Sequence, residues 1–216
     1  MTIHLDIAQN SDEYFKTKKF AEALGIAWRY GSKRHMFSLR HINPEVVNRY
    51  AELIPGETKV TSSYRKDKDY VQWECNINFQ HPFFLKMVEL GWKPLVEQDR
   101  VYPKGEFDED TFVKSYIRLH HDLGTTRVKV KESYFIKPRL RIHGSTDVLE
   151  NIGRLLFNRI GIKKKKLQTD HKIQRAKTIH YQSKIEVPKI LEFAGAAESL
   201  EKFNSFDLGY QEVVIV

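Results

Sequence analysis

The feature that most constrains the fold is a pattern that occurs twice, about 102–106 residues apart. The segment "FSLRHINPEVVNRYAELI" (37–54) has the same order as "PRLRIHGSTDVLENIGRLL" (138–156). Each begins as a strand, continues with a helix N-cap residue, Asn43 or Ser145, and ends as an amphipathic helix whose first turn holds an acid. The sequence therefore predicts two halves of similar architecture.

The segments around this repeat follow the same order in both halves. A helix precedes it, "FAEALGIAWRYG" (20–31) or "FVKSYIRLHHDLG" (112–124), and we place the start of the first one at Ser11 or Asp12. Two strand-like runs follow it, "ETKVTSSYR" and "YVQWECNINF", or "GIKKKKLQT" and "HKIQRAKTIHY". A short helix with an early proline closes each half, "HPFFLKMVELG" or "EVPKILEFAGA". This order predicts an α+β fold with antiparallel sheets.

The boundaries of the halves follow from composition. We predict a first half over 12–92, a linker rich in proline, glycine and charge over 93–107, and a second half over 108–200. After its first helix the second half has a full hairpin, "TTRVKVKES" and "YFIKPRLRIH", whereas the first half is about ten residues shorter there.

Alternation along the strands predicts which face of each sheet is exposed. In "YVQWECNINF" the apolar face is predicted to hold Val71, Trp73, Cys75, Ile77 and Phe79, and the polar face Gln72, Glu74, Asn76 and Asn78. The single cysteine of the chain is thus predicted to be a buried thiol, and one cysteine excludes a disulfide or a cysteine-based zinc site within the chain.

The hairpin of the second half is rich in cations. Arg127, Lys129 and Lys131 alternate with valines, and Lys137, Arg139, Arg141 and His143 alternate with Pro138, Leu140 and Ile142. We expect these cations to make the exposed face of the second sheet strongly positive. A two-stranded ribbon fits a DNA major groove, where such side chains meet phosphates or guanine edges. The net charge of +8 also favours a polyanionic partner.

Other features of the chain restrict its location. The N-terminus lacks the basic region and the apolar run of a signal peptide, and no window holds 18 consecutive apolar residues. We therefore expect a cytoplasmic protein with no membrane partner.

The layout resembles the LAGLIDADG homing endonucleases in their single-chain form with two pseudo-repeats. The resemblance covers most of 12–197 and is carried by "FAEALGIAWRYGS", "FVKSYIRLHHDLG", "PRLRIHGSTDVLENIGRLLFNRIGI" and "KIEVPKILEFAG". It implies two pseudo-symmetric halves whose sheets form a DNA-binding saddle, with double-stranded DNA as partner and a monomeric pseudo-dimer. It also implies that the two motif helices pack together along small residues, here Ala23, Gly25 and Ser115.

Combining the resemblance with the charge pattern, we predict DNA contacts from cationic and amide side chains of both halves. They are Lys33, Arg34, Arg40, Arg65, Gln72, Asn76, Asn78, Arg127, Lys129, Lys131, Lys137, Arg139, Arg141, Lys163, Lys165, Arg175 and Lys177.

In the family each motif helix ends in an acid, and the two acids hold divalent metal, normally magnesium, for phosphodiester cleavage. Here the alignment places Tyr30 at the first position and His120 at the second; a shifted register places Leu123 there instead. Asp122 is the only acid near either position. We therefore expect no catalytic residues, no metal site and no cofactor.

The sequence is compatible with several functions. The leading hypothesis is a sequence-specific DNA-binding protein that has lost its catalytic acids, with a regulatory role open to it. The alternatives are an active endonuclease that uses magnesium or a non-standard zinc or nickel site at His120, His121 and Asp122, an RNA-binding maturase, and a protein-interaction scaffold. Glu74 and the shorter hairpin weaken the first half as a DNA-contacting surface.

Overall fold

The structure, a computed structural model, describes residues 11–30, 32–33, 36–56, 58–93, 100–131, 133–169 and 177–212. The chain divides into two compact units, Met1–Tyr116 and Ile117–Val216. Because residues 94–99 lie outside the described part, the linker over 93–107 stays a prediction, as do the boundaries of the halves on either side of it.

The first unit contains four helices and four strands among its described residues, and it includes most of a fifth helix. The helices are α1 (Ser11–Phe15), α2 (Lys18–Ala27), α3 (Pro44–Leu53), α4 (Pro82–Glu89) and α5 (Glu109–His120). The strands are β1 (Ser32–Lys33), β2 (Met36–His41), β3 (Val60–Arg65) and β4 (Tyr70–Asn78). They form an antiparallel sheet in the order β1-β2-β4-β3.

The second unit begins with the end of α5 and repeats the order. Its strands are β5 (His121–Val130), β6 (Ser133–Gly144), β7 (Leu167–Thr169), β8 (Lys177–Tyr181) and β9 (Gly209–Glu212). Its helices are α6 (Thr146–Ile160), α7 (Glu186–Ala194) and α8 (Ala197–Asn204). The antiparallel sheet has the order β5-β6-β8-β7, and β9 pairs with the distal part of β6.

The predicted order of helices and strands is confirmed in both units, and so is the α+β class with antiparallel sheets. Both predicted N-caps hold as well, because Asn43 Oδ1 accepts a hydrogen bond from the Glu45 N–H at 2.9 Å and Ser145 Oγ accepts one from Val148 at 3.5 Å. These caps satisfy amide groups that the first turn of a helix leaves without partners.

Two local predictions are wrong. The first long helix begins at Lys18 instead of Ser11 or Asp12. Thr17 is its N-cap residue and accepts a hydrogen bond from the Phe20 N–H at 3.2 Å, so the preceding helix α1 is separate. The strand predicted over "GIKKKKLQT" is limited to Leu167–Thr169, so Lys163 precedes it. Helix α8 and strand β9 were not predicted.

The alternation predicted for β4 is confirmed at its centre. Cys75 and Ile77 are buried on the same face as Phe37 and Leu39 of β2, whereas Glu74 and Asn76 project from the other face. Burial raises the pKa of the Cys75 thiol to about 11, and nearby Glu74 adds to the shift. The cysteine is therefore a protonated core residue, as the sequence predicted.

Helices α2 and α5 lie in close contact at Gly25, where the resemblance implies such a contact. A Cβ atom built on Gly25 would lie 2.0 Å from Ser115 Oγ and 2.5 Å from the Phe112 carbonyl oxygen. Ser115 Oγ also donates a hydrogen bond to the Glu22 carbonyl at 3.1 Å. Ala23 is buried, but it lies about 200° around the helix axis from Gly25 and so packs on another side.

Among the described residues, no helix combines the length and the hydropathy that a membrane crossing requires.

We predict that Gly25→Ala destabilises the protein by about 1–3 kcal/mol, the usual cost of overpacking, because the new methyl group meets backbone as well as Ser115. Gly153→Ala is the matched control, since Gly153 also lies inside a helix, α6, but its Cβ would have ordinary contact with Ile179 at 3.5 Å. That control should keep or raise the stability through helix propensity. Urea unfolding of the two variants measures the difference; equal midpoints would contradict the close contact.

Candidate functional site

The strand register of the second sheet fixes which cations share a face. In an antiparallel pair, residues directly opposite each other project their side chains to the same side. Arg139 is opposite Gly124 and Arg141 is opposite Asp122, whereas Leu140 is opposite Leu123 and both leucines are buried. Arg139 and Arg141 therefore lie on the face away from the core, which we call the open face of the second sheet.

An acid lies at the centre of this open face. Arg141 donates to Asp122 Oδ2 from Nη2 at 2.5 Å and from Nε at 3.0 Å, and Arg139 Nη2 is 3.5 Å from the same oxygen. Partial burial acts to raise the pKa of Asp122, but the Arg141 hydrogen bond and the charges of Arg141, Arg139 and His143 outweigh it, so the pKa is lowered. Asp122 is thus an ionised internal counterion.

Two side chains of β8 lie beside this ion pair. His180 is opposite Arg141 and Thr178 is opposite His143, so all four project to the open face. Thr178 Oγ1 and His180 Nε2 are 2.9 Å apart and hydrogen-bonded. Burial lowers the pKa of His180, and Arg141 and Arg139 lower it further. His180 therefore favours the neutral form.

Two donors on the open face have no hydrogen-bond partner within the described part of the chain. They are Arg139 Nε and the hydroxyl of Thr126, and both atoms are buried. Thr126 is opposite Lys137, so it projects to the same face as Arg139. Buried donors without partners are uncommon in folded proteins, and here they adjoin an exposed cationic surface.

The prediction that all hairpin cations share one face is wrong. Arg127 is opposite Ile136 and Lys129 is opposite Tyr134, so both project to the side of the sheet that holds Leu140. Lys131 lies in the turn, with φ of +54°. The cations of the open face are therefore concentrated on β6, at Lys137, Arg139 and Arg141.

The remaining predicted cations of the second unit lie elsewhere. Lys165 pairs with Glu186 at 2.8 Å and stands over the ring of Tyr181, a buried residue opposite Leu140 on the core side. Lys177 shares that side and donates to Thr169 at 2.9 Å. Lys163 is exposed before β7, and Arg175 lies outside the described residues. The register therefore separates Lys165 and Lys177 from Arg141.

The first sheet also has an open polar face, but its charges are paired internally. Arg40 lies opposite Glu74 and donates to it at 2.5 and 3.2 Å, and Arg65 contacts Asp67 at 3.2 Å. The predicted amides are on this face: Gln72 opposite Ser63, Asn76 bonded to Ser38, and Asn78 opposite Met36. Arg34 lies outside the described residues, and only the backbone of Lys33 is described.

Arg100, a residue that the sequence did not single out, contacts the C-terminal end of α2. Arg100 is 7% exposed and donates to the Trp28 carbonyl, and its Nε donates to the Lys93 carbonyl at 2.9 Å. A cation at a helix C-terminus satisfies carbonyl groups that have no helical partner. Arg100 also lies 4.9 Å from the Trp92 ring, and burial lowers its pKa to about 10. In the sequence, the only signal from Arg100 is its charge within the predicted linker, which does not indicate a contact with α2.

The residues at the presumed metal positions do not fit magnesium, which prefers carboxylate oxygen. Burial raises the pKa of the Tyr30 phenol to about 12, although Arg29 lowers it. His120 is buried, and the ring nitrogens of His121 are within 2.8 Å of the Ile117 carbonyl and 2.7 Å of Ser199 Oγ. Over the described ranges, no three acids, histidines or cysteines converge as a metal site would need.

Comparison with known proteins gave matches among solved structures alone. No protein-family model matches the chain, and no curated protein matches its sequence. The meganuclease I-SmaMI, in a crystal structure bound to uncleavable DNA with a TTGT central four, matches with a TM-score of 0.58 and 8% identity over 88% of this chain and 89% of that chain.

Two further solved structures show the same likeness. The LAGLIDADG meganuclease I-AabMI, bound to uncleaved DNA, matches with a TM-score of 0.54 and 10% identity over 88% of this chain and 89% of that chain. Full-length DUF199/WhiA from Thermatoga maritima matches with a TM-score of 0.51 and 12% identity. The match covers 87% of this chain and 58% of that chain. At these identities the likeness establishes the fold.

We predict that Arg141→Ala raises the pKa of the Asp122 carboxyl, because it removes the hydrogen bonds and the nearest charge that favour the ionised form. NMR titration of the aspartate side chains measures this pKa. Arg127→Ala is the control and should leave it unchanged, since Arg127 projects from the opposite face. An Asp122 pKa that does not respond to Arg141→Ala would show that the two side chains are not paired.

Proposed function

We propose that this chain, which has the LAGLIDADG fold, binds double-stranded DNA through the open face of its second sheet and does not cleave it. One observation carries the proposal: Lys137, Arg139 and Arg141 lie on one exposed face of an antiparallel sheet, and Arg139 there has a buried donor with no partner among the described residues. Guanidinium groups suit both phosphate oxygens and the guanine edge in the major groove.

The charges around Asp122 indicate how binding would proceed. Asp122 compensates part of the charge of Arg139 and Arg141 in the free protein, and it is itself 41% exposed. A phosphate or a guanine edge would compete with this carboxylate for the same donors. The contacts with Asp122 restrict the two arginine side chains in the free protein, which reduces the entropy that they lose on binding.

The likeness to solved structures supports the choice of partner. I-SmaMI and I-AabMI were crystallised with DNA, and this chain shares their fold over 88% of its length. We assign the same class of ligand to this chain because the open face of its second sheet carries Lys137, Arg139 and Arg141, and Asp122 compensates only part of their charge. RNA as the partner stays an alternative, and the monomeric state and the cytoplasmic location stay predictions.

The second part of the proposal is that the chain does not cleave the DNA it binds. Phosphodiester displacement develops negative charge, and paired carboxylates with metal are the fold family's means of stabilising it. Tyr30 is neutral, and Asp122, the nearest acid to His120 in sequence, is paired with two arginines. The positive charges of those arginines would oppose the approach of a divalent cation to Asp122.

We predict that Arg139→Ala with Arg141→Ala weakens binding to duplex DNA and lowers the slope of log K against log salt by about two, roughly one unit for each lost phosphate contact. The matched control is Arg127→Ala with Lys129→Ala, which removes the same charge from the same hairpin but from the other face. Fluorescence anisotropy over a salt series measures both. Equal losses in the two double variants would contradict the assignment of the face.

We also predict that a duplex selected for binding stays intact with magnesium, manganese or zinc, because the motif ends hold Tyr30 and His120 in place of acids. Gel analysis of both labelled strands after incubation with each metal is the measurement. Specific double-strand cuts that disappear in Asp122→Asn would contradict this prediction and favour the endonuclease alternative.

A further inference from the structure

We infer that the distal part of the same hairpin contacts thymine methyl groups in the duplex, so that the protein prefers T·A pairs several positions outside the segment that Arg139 and Arg141 contact. This inference rests on the proposed DNA binding and gives it a sequence preference. It comes from a change in chemistry along the open face.

The open face changes from cationic to apolar toward the tip of the hairpin. Beyond Lys137, the next residue of β6 on this face is Phe135, which is opposite Val128 of β5 and opposite Tyr210 of β9. These three residues, which we call the distal apolar patch, therefore lie side by side on adjacent strands. Val128 is 38% exposed and Tyr210 is 72% exposed.

The distal apolar patch continues the cationic surface. Lys137 Nζ stands 5.7 Å from the centroid of the Phe135 ring, so the last cation and the first aromatic side chain are in contact. A ligand that lies along Arg141, Arg139 and Lys137 would therefore extend over Phe135 and Val128. Exposed apolar side chains next to a binding surface are a usual sign of a contact with apolar groups of the ligand.

The spacing along the strand fits a duplex. From Arg141 to Phe135 the strand advances six residues, or about 20 Å at roughly 3.3 Å per residue. Because base pairs rise about 3.4 Å each, the distal apolar patch would lie about six base pairs from the Arg141 contact. Both parts of the hairpin can thus follow one groove over about half a turn.

The thymine methyl is the apolar group that a major groove offers, and valine and phenylalanine side chains suit it. Stacking of an unpaired base is the competing use of exposed aromatic rings. Stacking is disfavoured at Phe135, because its ring is already approached by Lys137 and by the ring of Tyr210, whose centroid is 4.8 Å away at an interplanar angle of 74°. Val128 beside it offers no ring for stacking.

The test is replacement of single thymines by deoxyuridine in the selected duplex, which removes the methyl group and keeps every hydrogen-bonding edge. Wild-type protein should lose about fourfold in affinity for each contacted methyl, the effect of one buried apolar carbon. The sensitive positions should be confined to one outer segment of the site. Substitutions in the segment that Arg139 and Arg141 contact should have no effect.

Two variants link the effect to the distal apolar patch. Val128→Ser removes both γ-methyl groups and should reduce the sensitivity to deoxyuridine in that segment. Val71→Ser makes the same change at another exposed strand valine, in the first sheet, and should leave the sensitivity as in wild type.

The outcomes separate this inference from the proposed function. If the duplex binds and no position distinguishes thymine from deoxyuridine, the methyl contact is wrong and DNA binding stands. If the single strand of the site binds more tightly than the duplex, base stacking is the correct use of the distal apolar patch. If no duplex binds at moderate salt, the proposed function fails together with the inference.

Discussion

The pairing register of β5 with β6 is the constraint on which the rest of the candidate site depends. The two strands pair without interruption from His121 opposite Ile142 to Val130 opposite Ser133. A shift of one strand by a single residue would carry all of its side chains to the other face. Leu123, Leu140 and Ile142 hold the register because they must stay buried, and the left-handed Lys131 closes the turn between the strands.

This register produces an asymmetry between the two sheets. In the first sheet the open-face arginines are compensated by nearby acids, Arg40 by Glu74 and Arg65 by Asp67. In the second sheet one carboxylate, Asp122, faces two arginines, and Lys137 adds a third cation. Coulombic attraction for a polyanion is therefore concentrated on β6. Asp122 tunes that attraction, since its pKa is lowered and it stays ionised near neutral pH.

Much of the fold could be predicted from the sequence, because local signals determine it. The N-caps at Asn43 and Ser145 and the alternation around Cys75 each specify a local geometry that the structure confirms. The register of a hairpin is not local in this sense, because it depends on where the turn lies. In "RVKVK" both faces near the tip are exposed, so polarity alone could not assign Arg127 and Lys129 to a face.

The site was therefore predicted in part. Arg139 and Arg141 alternate with buried leucine and isoleucine, and this gave their face correctly. Asp122 was recognised as an acid near the motif end, but its pairing with these arginines requires the strand that the motif helix runs into. Neither the ion pair of Lys165 with Glu186 nor the position of Arg100 at the end of α2 has a sequence signal, since each joins segments distant in the chain.

The central claim, that the open face of the second sheet holds the duplex, is tested most directly by NMR of the arginine side chains during a titration with DNA. With the Nε–Hε signals assigned by single substitutions, the account predicts that Arg139 and Arg141 shift and saturate at one duplex per chain. Arg139 Nε should show the larger change because it lacks a partner in the described part of the free protein. Signals of Arg40 and Arg127 should stay nearly constant. Saturating shifts at Arg127 with none at Arg139 or Arg141 would contradict the account.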